Sequence, residues 1–381
     1  MKKIVKVFSY YRGDGEEKLA SMVSSLYGDQ RVFLFSNART AEYIFLKSLG
    51  LPVGSNILMQ AFTCNAVVNP VLWLKLNPVY IDILPKTYGM DLQSLKERID
   101  GESKVAILQH TFGIDGEYSE HIEFLKSKGI YVLEDCAHAL GNGELGVKGD
   151  AAIVSFGIEK ILSTRVGGAL IVNNPELLPA IEIEYRKLKY MGWLSTFTWL
   201  INPVIWRLLR KLGSLQRVVS LLLNRIGVVN MGFYRSELKG LRPSAYPRKL
   251  SPVLCDVVID QLRFVDDNLK HRCYINDIYA SALDVPHLRG VSSVRFPLVI
   301  KDLGVLNMAK KVLDSNGVYY GDWYNPLVYP ASTSIEAMGY KWGSCPVAEE
   351  VSRHILNLPT GFSVSKTRAL EISKVVRGVL V

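Results

Sequence analysis

Through its first half this chain alternates short apolar runs with helical patterns, and that alternation restricts the fold more than any other feature. Strand-like runs fit Asn56–Gln60, Pro78–Ile83, Lys104–His110, Ile130–Leu133, Ala151–Phe156 and Ala169–Val172. A helical pattern at Thr40–Leu49 precedes them, and others fall between them at Leu92–Ile99 and Tyr118–Lys128. Apolar, β-branched runs separated by helices predict a mostly parallel sheet covered by helices, an α/β fold. From about Ser251 the pattern changes to a long amphipathic helix (Pro252–Ala282), a strand (Val294–Ile300), a helix (Val305–Ser315) and a closing helix (Lys366–Leu380). At 381 residues the chain is too long for one ordinary core. The expected organisation is a large domain over 1–185, a helical insertion over 186–249 and a smaller α/β domain over 250–381.

In a parallel sheet the strand ends share one edge, and ligands bind there. Two of the predicted strands run into polar residues at that edge. Asp135 lies in YVLEDCAHALG, with His138 three positions on, and Lys160 follows twenty-five residues after Asp135 in SFGIEKILSTRVGGALIVNN. An acid, a hydroxyl and a lysine at one sheet edge suit pyridoxal phosphate (PLP). The lysine amine bonds the cofactor aldehyde, and the carboxylate keeps the pyridine nitrogen protonated so that the ring draws electrons. A lone lysine after a strand is equally a solvated loop residue, and a lone aspartate there a helix cap. The turn Ser36-Asn37-Ala38-Arg39-Thr40, just before the first helix of the large domain, reads in two ways as well. It is either an ordinary N-cap or a set of free amides for an anion.

The five cysteines (Cys64, Cys136, Cys255, Cys273, Cys345) form no CxxC pair and are odd in number, which argues against a zinc site or a disulfide framework. The apolar stretch of MKKIVKVFSYYRGDG is broken by Lys6 and too short for a signal peptide. These features predict a cytoplasmic protein without metal. The net charge of +9 is concentrated: Tyr185 to Leu250 holds thirteen basic residues and one acid, Glu237. Within it, Met191 to Trp206 is sixteen residues without a charge and carries three of the six tryptophans. A stretch bearing Arg207, Arg210, Lys211, Arg217 and Arg225 follows. The uncharged run is too short to span a bilayer and contains Asn202 and Pro203. Two linked amphipathic helices over 191–225 suit the surface of an anionic membrane, on its inner face. The plainer alternative is a hairpin packed on the protein or in a dimer interface. Nucleic acid is disfavoured, because the basic residues alternate with bulky aliphatics.

Taken together, these blocks resemble the DegT–StrS group of PLP-dependent sugar aminotransferases, of fold-type I architecture, nearly end to end. SNARTAEYIFLKSLGLPVGSNILM is similar to the phosphate-turn helix and following strand, and MQAFTCNAVVNPVLWLKLNPVYIDI to the next block. VAILQHTFG resembles the central strand, VLEDCAHALG and SFGIEKILSTRVGGALIVNN the cofactor blocks, and LSPVLCDVVIDQLRFVDDNLKHR the helix opening the small domain. YNPLVYP and CPVAEEVSRHILNLPT resemble the C-terminal end.

The resemblance implies Lys160 as the cofactor-binding lysine and proton shuttle, and Asp135 as the pyridinium partner. It puts His138 against the ring's hydroxyl side, Ser155 at a phosphate hydroxyl and Ala38-Arg39-Thr40 at the phosphate amides. Members that dehydrate a sugar carry His in place of the lysine, so Lys160 favours transamination. An active site at a homodimer interface is implied, with a keto sugar, nucleotide-linked or lipid-linked, as acceptor and glutamate as the expected amino donor. Three departures stand out. Cys64 occupies the place of the ring-stacking aromatic, leaving Phe62, His110 or nothing to stack. Pro247 stands where a partner-reaching Asn is usual, with Arg248 or Lys249 as possible replacements. Val328 replaces a common His. These losses leave a silent, membrane-attached scaffold as the alternative outside enzymology.

Overall fold

The computed structural model describes residues 14–209, 215–225 and 232–380. The N-terminal run, Arg210 and Lys211 lie outside the described residues, as do the side chains of Arg217 and Arg225. Seven strands form the main sheet: β1 (Arg31–Phe35), β2 (Asn56–Gln60), β3 (Asn77–Ile81), β4 (Ser103–Gln109), β5 (Tyr131–Asp135), β6 (Ala151–Ser155) and β7 (Gly168–Val172). Their spatial order is β1-β7-β6-β5-β4-β2-β3. All neighbours pair in parallel except β7, which runs antiparallel to both β1 and β6. Strands β6 and β7 are buried at every position. Helices lie over both faces of such a strand, so neither face needs a polar residue, and the sequence reads as an unbroken apolar run.

Each strand predicted in the first half is present, with ends shifted by at most a few residues. Strand β1 and the helices Gly15–Ser24, Asn65–Trp73 and Leu178–Arg186 add to the expected pattern. The single helix expected over Pro252–Ala282 is instead two, Pro252–Leu262 and Val265–Ala282. The chain leaves helical geometry at Phe264 (φ −112°, ψ 19°). The apolar spacing carries on across this break, so periodicity alone does not register it.

A second, two-stranded sheet pairs β8 (Arg295–Val299) antiparallel with β9 (Ile355–Pro359). A further short pairing matters more for the site: Val328–Tyr329 runs parallel to Thr63–Cys64. That pairing brings the C-terminal third of the chain to the edge of the main sheet. The insertion contains the helices Trp193–Leu209 and Gln216–Arg225. Among the described residues no helix is long and apolar enough to cross a membrane, and no His, Cys, Asp and Glu group is placed to hold a metal.

Candidate active site

Strands β4, β5 and β6 are neighbours, and each ends on a polar residue: Gln109, Asp135 and Ser155. Strands in a sheet lie about 4.8 Å apart, so these ends form a row of polar side chains. The row lines a cavity of about 1440 Å³ that also takes in Ala38, Arg39, Cys64, His138 and Lys160. Of the residues named from sequence, Thr40 lies off this cavity. It is fully buried, and its amide and hydroxyl both go to Asn37 Oδ1, at 2.9 and 3.0 Å. Asn37 thus caps the helix Ala38–Ser48. The first amides of that helix, at Ala38 and Arg39, have no acceptor in the helical ladder, and both residues line the cavity. Gly168 makes this approach possible: a Cβ there would stand 2.5 Å from Ala38 N and 2.8 Å from Ala38 Cα.

The charges in the cavity are set mainly by burial. Burial lowers the pKa of the Lys160 amine, against the opposing pull of Cys64, Asp135 and Glu159. Its Nζ lies 5.1 Å from the centre of the Trp323 ring. Burial raises the Asp135 carboxyl, while the Ala137 amide, donating to Oδ1 at 2.9 Å, and Lys160 hold it back. His138 Nδ1 accepts the Phe112 amide at 3.0 Å, which leaves the ring proton on Nε2. Burial first, then the charges of Lys160 and Arg295, keep that imidazole neutral. Burial also raises the Cys64 thiol, whose Sγ accepts from the Ala66 amide at 3.5 Å. Glu42 is 1% exposed and lines the same cavity, with neither carboxyl oxygen hydrogen-bonded among the described residues. Burial, reinforced by Asp135, pushes it well above the usual carboxylate range.

Several cavity residues carried no signal in the sequence. Phe62 and His110 do not line the cavity: Phe62 packs against Tyr88 and Tyr324, and His110 Nε2 meets Glu134 Oε2 at 3.2 Å. The aromatic wall comes instead from Trp323, Tyr324 and Tyr329, delivered by the Val328–Tyr329 pairing. Trp323 stacks flat on His138, with centroids 5.0 Å apart and planes 3° from parallel. Val328, where a His is common, is fully buried in that pairing. Of the two cations after Pro247, Arg248 lines the cavity, whereas Lys249 Nζ sits 4.1 Å from the centre of the Tyr185 ring. The Arg39 guanidinium is also committed, ion-paired with Glu237 and donating to the Gly232 carbonyl at 3.0 Å. The one signal pointing to that pair is Glu237 itself, the lone acid in a basic segment.

Against these observations, the cavity fits pyridoxal phosphate. One end offers two helix-start amides and the Ser155 hydroxyl, which accepts from the Gly157 amide at 3.2 Å and keeps its proton to donate. Asp135 carries a burial cost that a cationic ring nitrogen would relieve, and Lys160 supplies an amine.

The model of the DegT/DnrJ/EryC1/StrS aminotransferase family matches residues 1–377. The chain belongs to that family. Its fold is that of family members: the crystal structure of a DegT DnrJ EryC1 StrS aminotransferase from Brucella abortus superposes with a TM-score of 0.74 at 21% identity, covering 99% of this chain and 94% of that one. The sequence is similar to a GDP-perosamine synthase of Escherichia coli O157:H7, 28% identical over 146 residues. That match covers 37% of this chain and 40% of the synthase, so it spans less than half of the relative. A pleiotropic regulatory protein of Geobacillus stearothermophilus is 22% identical over 366 residues, 94% of this chain and 87% of that protein. The family's cofactor is pyridoxal phosphate, the group the cavity fits.

Proposed function

We propose that this family member is a transaminase that moves an amino group from an amino acid, with glutamate as the expected donor, to a keto sugar. The observation that carries the reading is the row Gln109, Asp135 and Ser155 at three neighbouring strand ends, with Lys160 and a helix N-terminus opening on the same cavity. The similarity to a GDP-perosamine synthase supports a sugar as acceptor. When bound, PLP supplies an aldehyde that takes up an amine and a ring that draws electrons from the adjoining bonds.

The side chains do the rest. Ala38 and Arg39 amides and the Ser155 hydroxyl would hold the phosphate, and Asp135 would keep the ring nitrogen protonated. His138, neutral and with its proton on Nε2, directs a donor into the site and is held in place by Trp323. Lys160 Nζ, its pKa lowered by burial, takes a proton from the donor carbon and returns it one position away. Trp323 beside the amine keeps water from it.

This reading includes a homodimer, as the family resemblance implies, and attachment of the insertion to an anionic membrane at its cytoplasmic face. It also places the large domain over 1–185 and the small one over 250–381. Loading the protein with PLP and adding glutamate tests it. The visible absorbance of the lysine-bound cofactor is expected to fall as the amine form accumulates, and a panel of keto-sugar nucleotides to restore it. Lys160→Ala abolishes both signals. A protein that takes up PLP yet shows no change with any amino donor refutes the proposal.

A further inference from the structure

The helix Trp193–Leu209 is amphipathic in the reverse of the usual sense. Its apolar residues Trp193, Leu194, Val204 and Leu208 are 67%, 60%, 56% and 57% exposed. At 100° per residue, Trp193, Val204 and Leu208 share one face, with Leu194 at its border. The polar Asn202 lies on the opposite face with Leu209, and both are buried, as is Thr196 at the edge of the exposed face. Val218 and Leu222, four residues apart on the second helix, and Leu215 just before it are 57%, 55% and 62% exposed. A water-facing helix does not have this pattern. A helix covered by something apolar does.

Charge indicates what covers it. Glu237 is the one acid between Tyr185 and Leu250, and it is fully buried against Arg39. The segment therefore shows solvent no carboxylate, only cations such as Arg207, Arg235 and Lys239. A two-fold contact whose axis passes through this segment would set it against itself, like charge facing like. An anionic bilayer meets the apolar face and the cations together.

The start of the same helix is also a wall of the active site. Gly192, Trp193, Ser195 and Trp199 line the cavity that holds Lys160, so the exposed Trp193 stands where the cavity meets the apolar face. Arg165, Lys189, Arg235 and Arg248 line this cavity too, a set of cations suited to a diphosphate. We propose that the helices 193–209 and 216–225 seat the protein on an anionic bilayer, and that the acceptor is a keto sugar carried on a lipid diphosphate of that bilayer. This rests on the transaminase reading above for its chemistry, but not for its membrane contact.

The test uses the full-length, PLP-loaded protein in flotation with phosphatidylcholine vesicles and with vesicles containing phosphatidylglycerol. The wild type is expected to float with the anionic vesicles, less so as salt rises. Val204→Glu/Leu208→Glu is expected to lose roughly tenfold or more of that binding. The absorbance change with glutamate stays as in the wild type, because neither residue lines the cavity. In a second arm, farnesyl diphosphate and uridine diphosphate compete with the glutamate reaction, and the isoprenoid diphosphate is expected to inhibit at the lower concentration. A wild type that stays in solution with anionic vesicles overturns the membrane contact, as does a double variant that floats equally well. A double variant that turns a dimer into a monomer in light scattering shows a subunit contact instead. Stronger inhibition by uridine diphosphate overturns the lipid-linked acceptor. A protein whose absorbance never responds to glutamate fails the transaminase reading, whatever the flotation shows.

Discussion

Glu42 offers the sharpest quantitative test of the cavity's electrostatics. Its carboxyl is 1% exposed, has no hydrogen-bond partner among the described residues, and faces the negative charge of Asp135. The folded protein therefore holds it neutral, whereas the unfolded chain ionises it around its ordinary value of 4.5. Folding near neutral pH must then take up a proton. Above both values the cost is about 1.4 kcal/mol for each pH unit by which folding raises the carboxyl. The sign is that of an acid raised on folding: stability falls as pH rises above the unfolded value, and levels off once the pH passes the folded one. Glu42→Gln keeps the shape and removes the ionisation. Urea unfolding of the cofactor-free protein is expected to show the variant more stable at about pH 7 by about 1.4 kcal/mol or more, with the gap closing toward about pH 4.5. A gap that does not change with pH, or a variant less stable than wild type at neutral pH, would refute a neutral, unpartnered Glu42.

Three further outcomes follow from the same geometry. Gly168→Ala forces a Cβ against the Ala38 backbone, so PLP affinity measured by equilibrium dialysis is expected to fall by about tenfold or more, while the fold survives. Glu237→Ala leaves the Arg39 charge buried without its partner and is expected to cost about 3–5 kcal/mol in urea unfolding, with Glu237→Gln costing less. Asp135→Asn is expected to keep the visible absorbance of bound cofactor while slowing the glutamate reaction by about 10²–10³, read by stopped-flow absorbance.

The sheet and the ends of its strands were legible because they depend on local rules. Buried parallel strands are apolar along most of their length, so β6 and the Tyr131–Leu133 run of β5 stand out in the sequence, and the polar residues that close these strands, Asp135 after Glu134 and Ser155, fall at the ligand edge. Lys160 follows from the same logic. The aromatic wall was not legible, because Trp323 and Tyr324 reach the cavity through a two-residue strand pairing that no periodicity announces. The role of Thr40 is not legible in the sequence, because a hydroxyl at a helix start serves an anion or a cap equally well by composition. Here Asn37 takes both its amide and its hydroxyl. Glu42 gives no signal in the sequence, because an acid in the second turn of a helix ordinarily faces water. Its burial is a tertiary fact.

Glu237 does more than neutralise a guanidinium. Its carboxylate holds Arg39 at the turn proposed to cradle the phosphate, its carbonyl accepts from Asn69 at 3.1 Å, and its own carboxyl oxygen receives the Tyr234 amide at 2.6 Å. The end of the insertion and the turn that carries Arg39 are thus a single clasp. A ligand that moves Arg39 changes the hold on the insertion, and by thermodynamic reciprocity a surface that pulls on the insertion changes cofactor affinity by the same factor. In the function proposed above, cofactor loading and membrane attachment become two readings of one equilibrium.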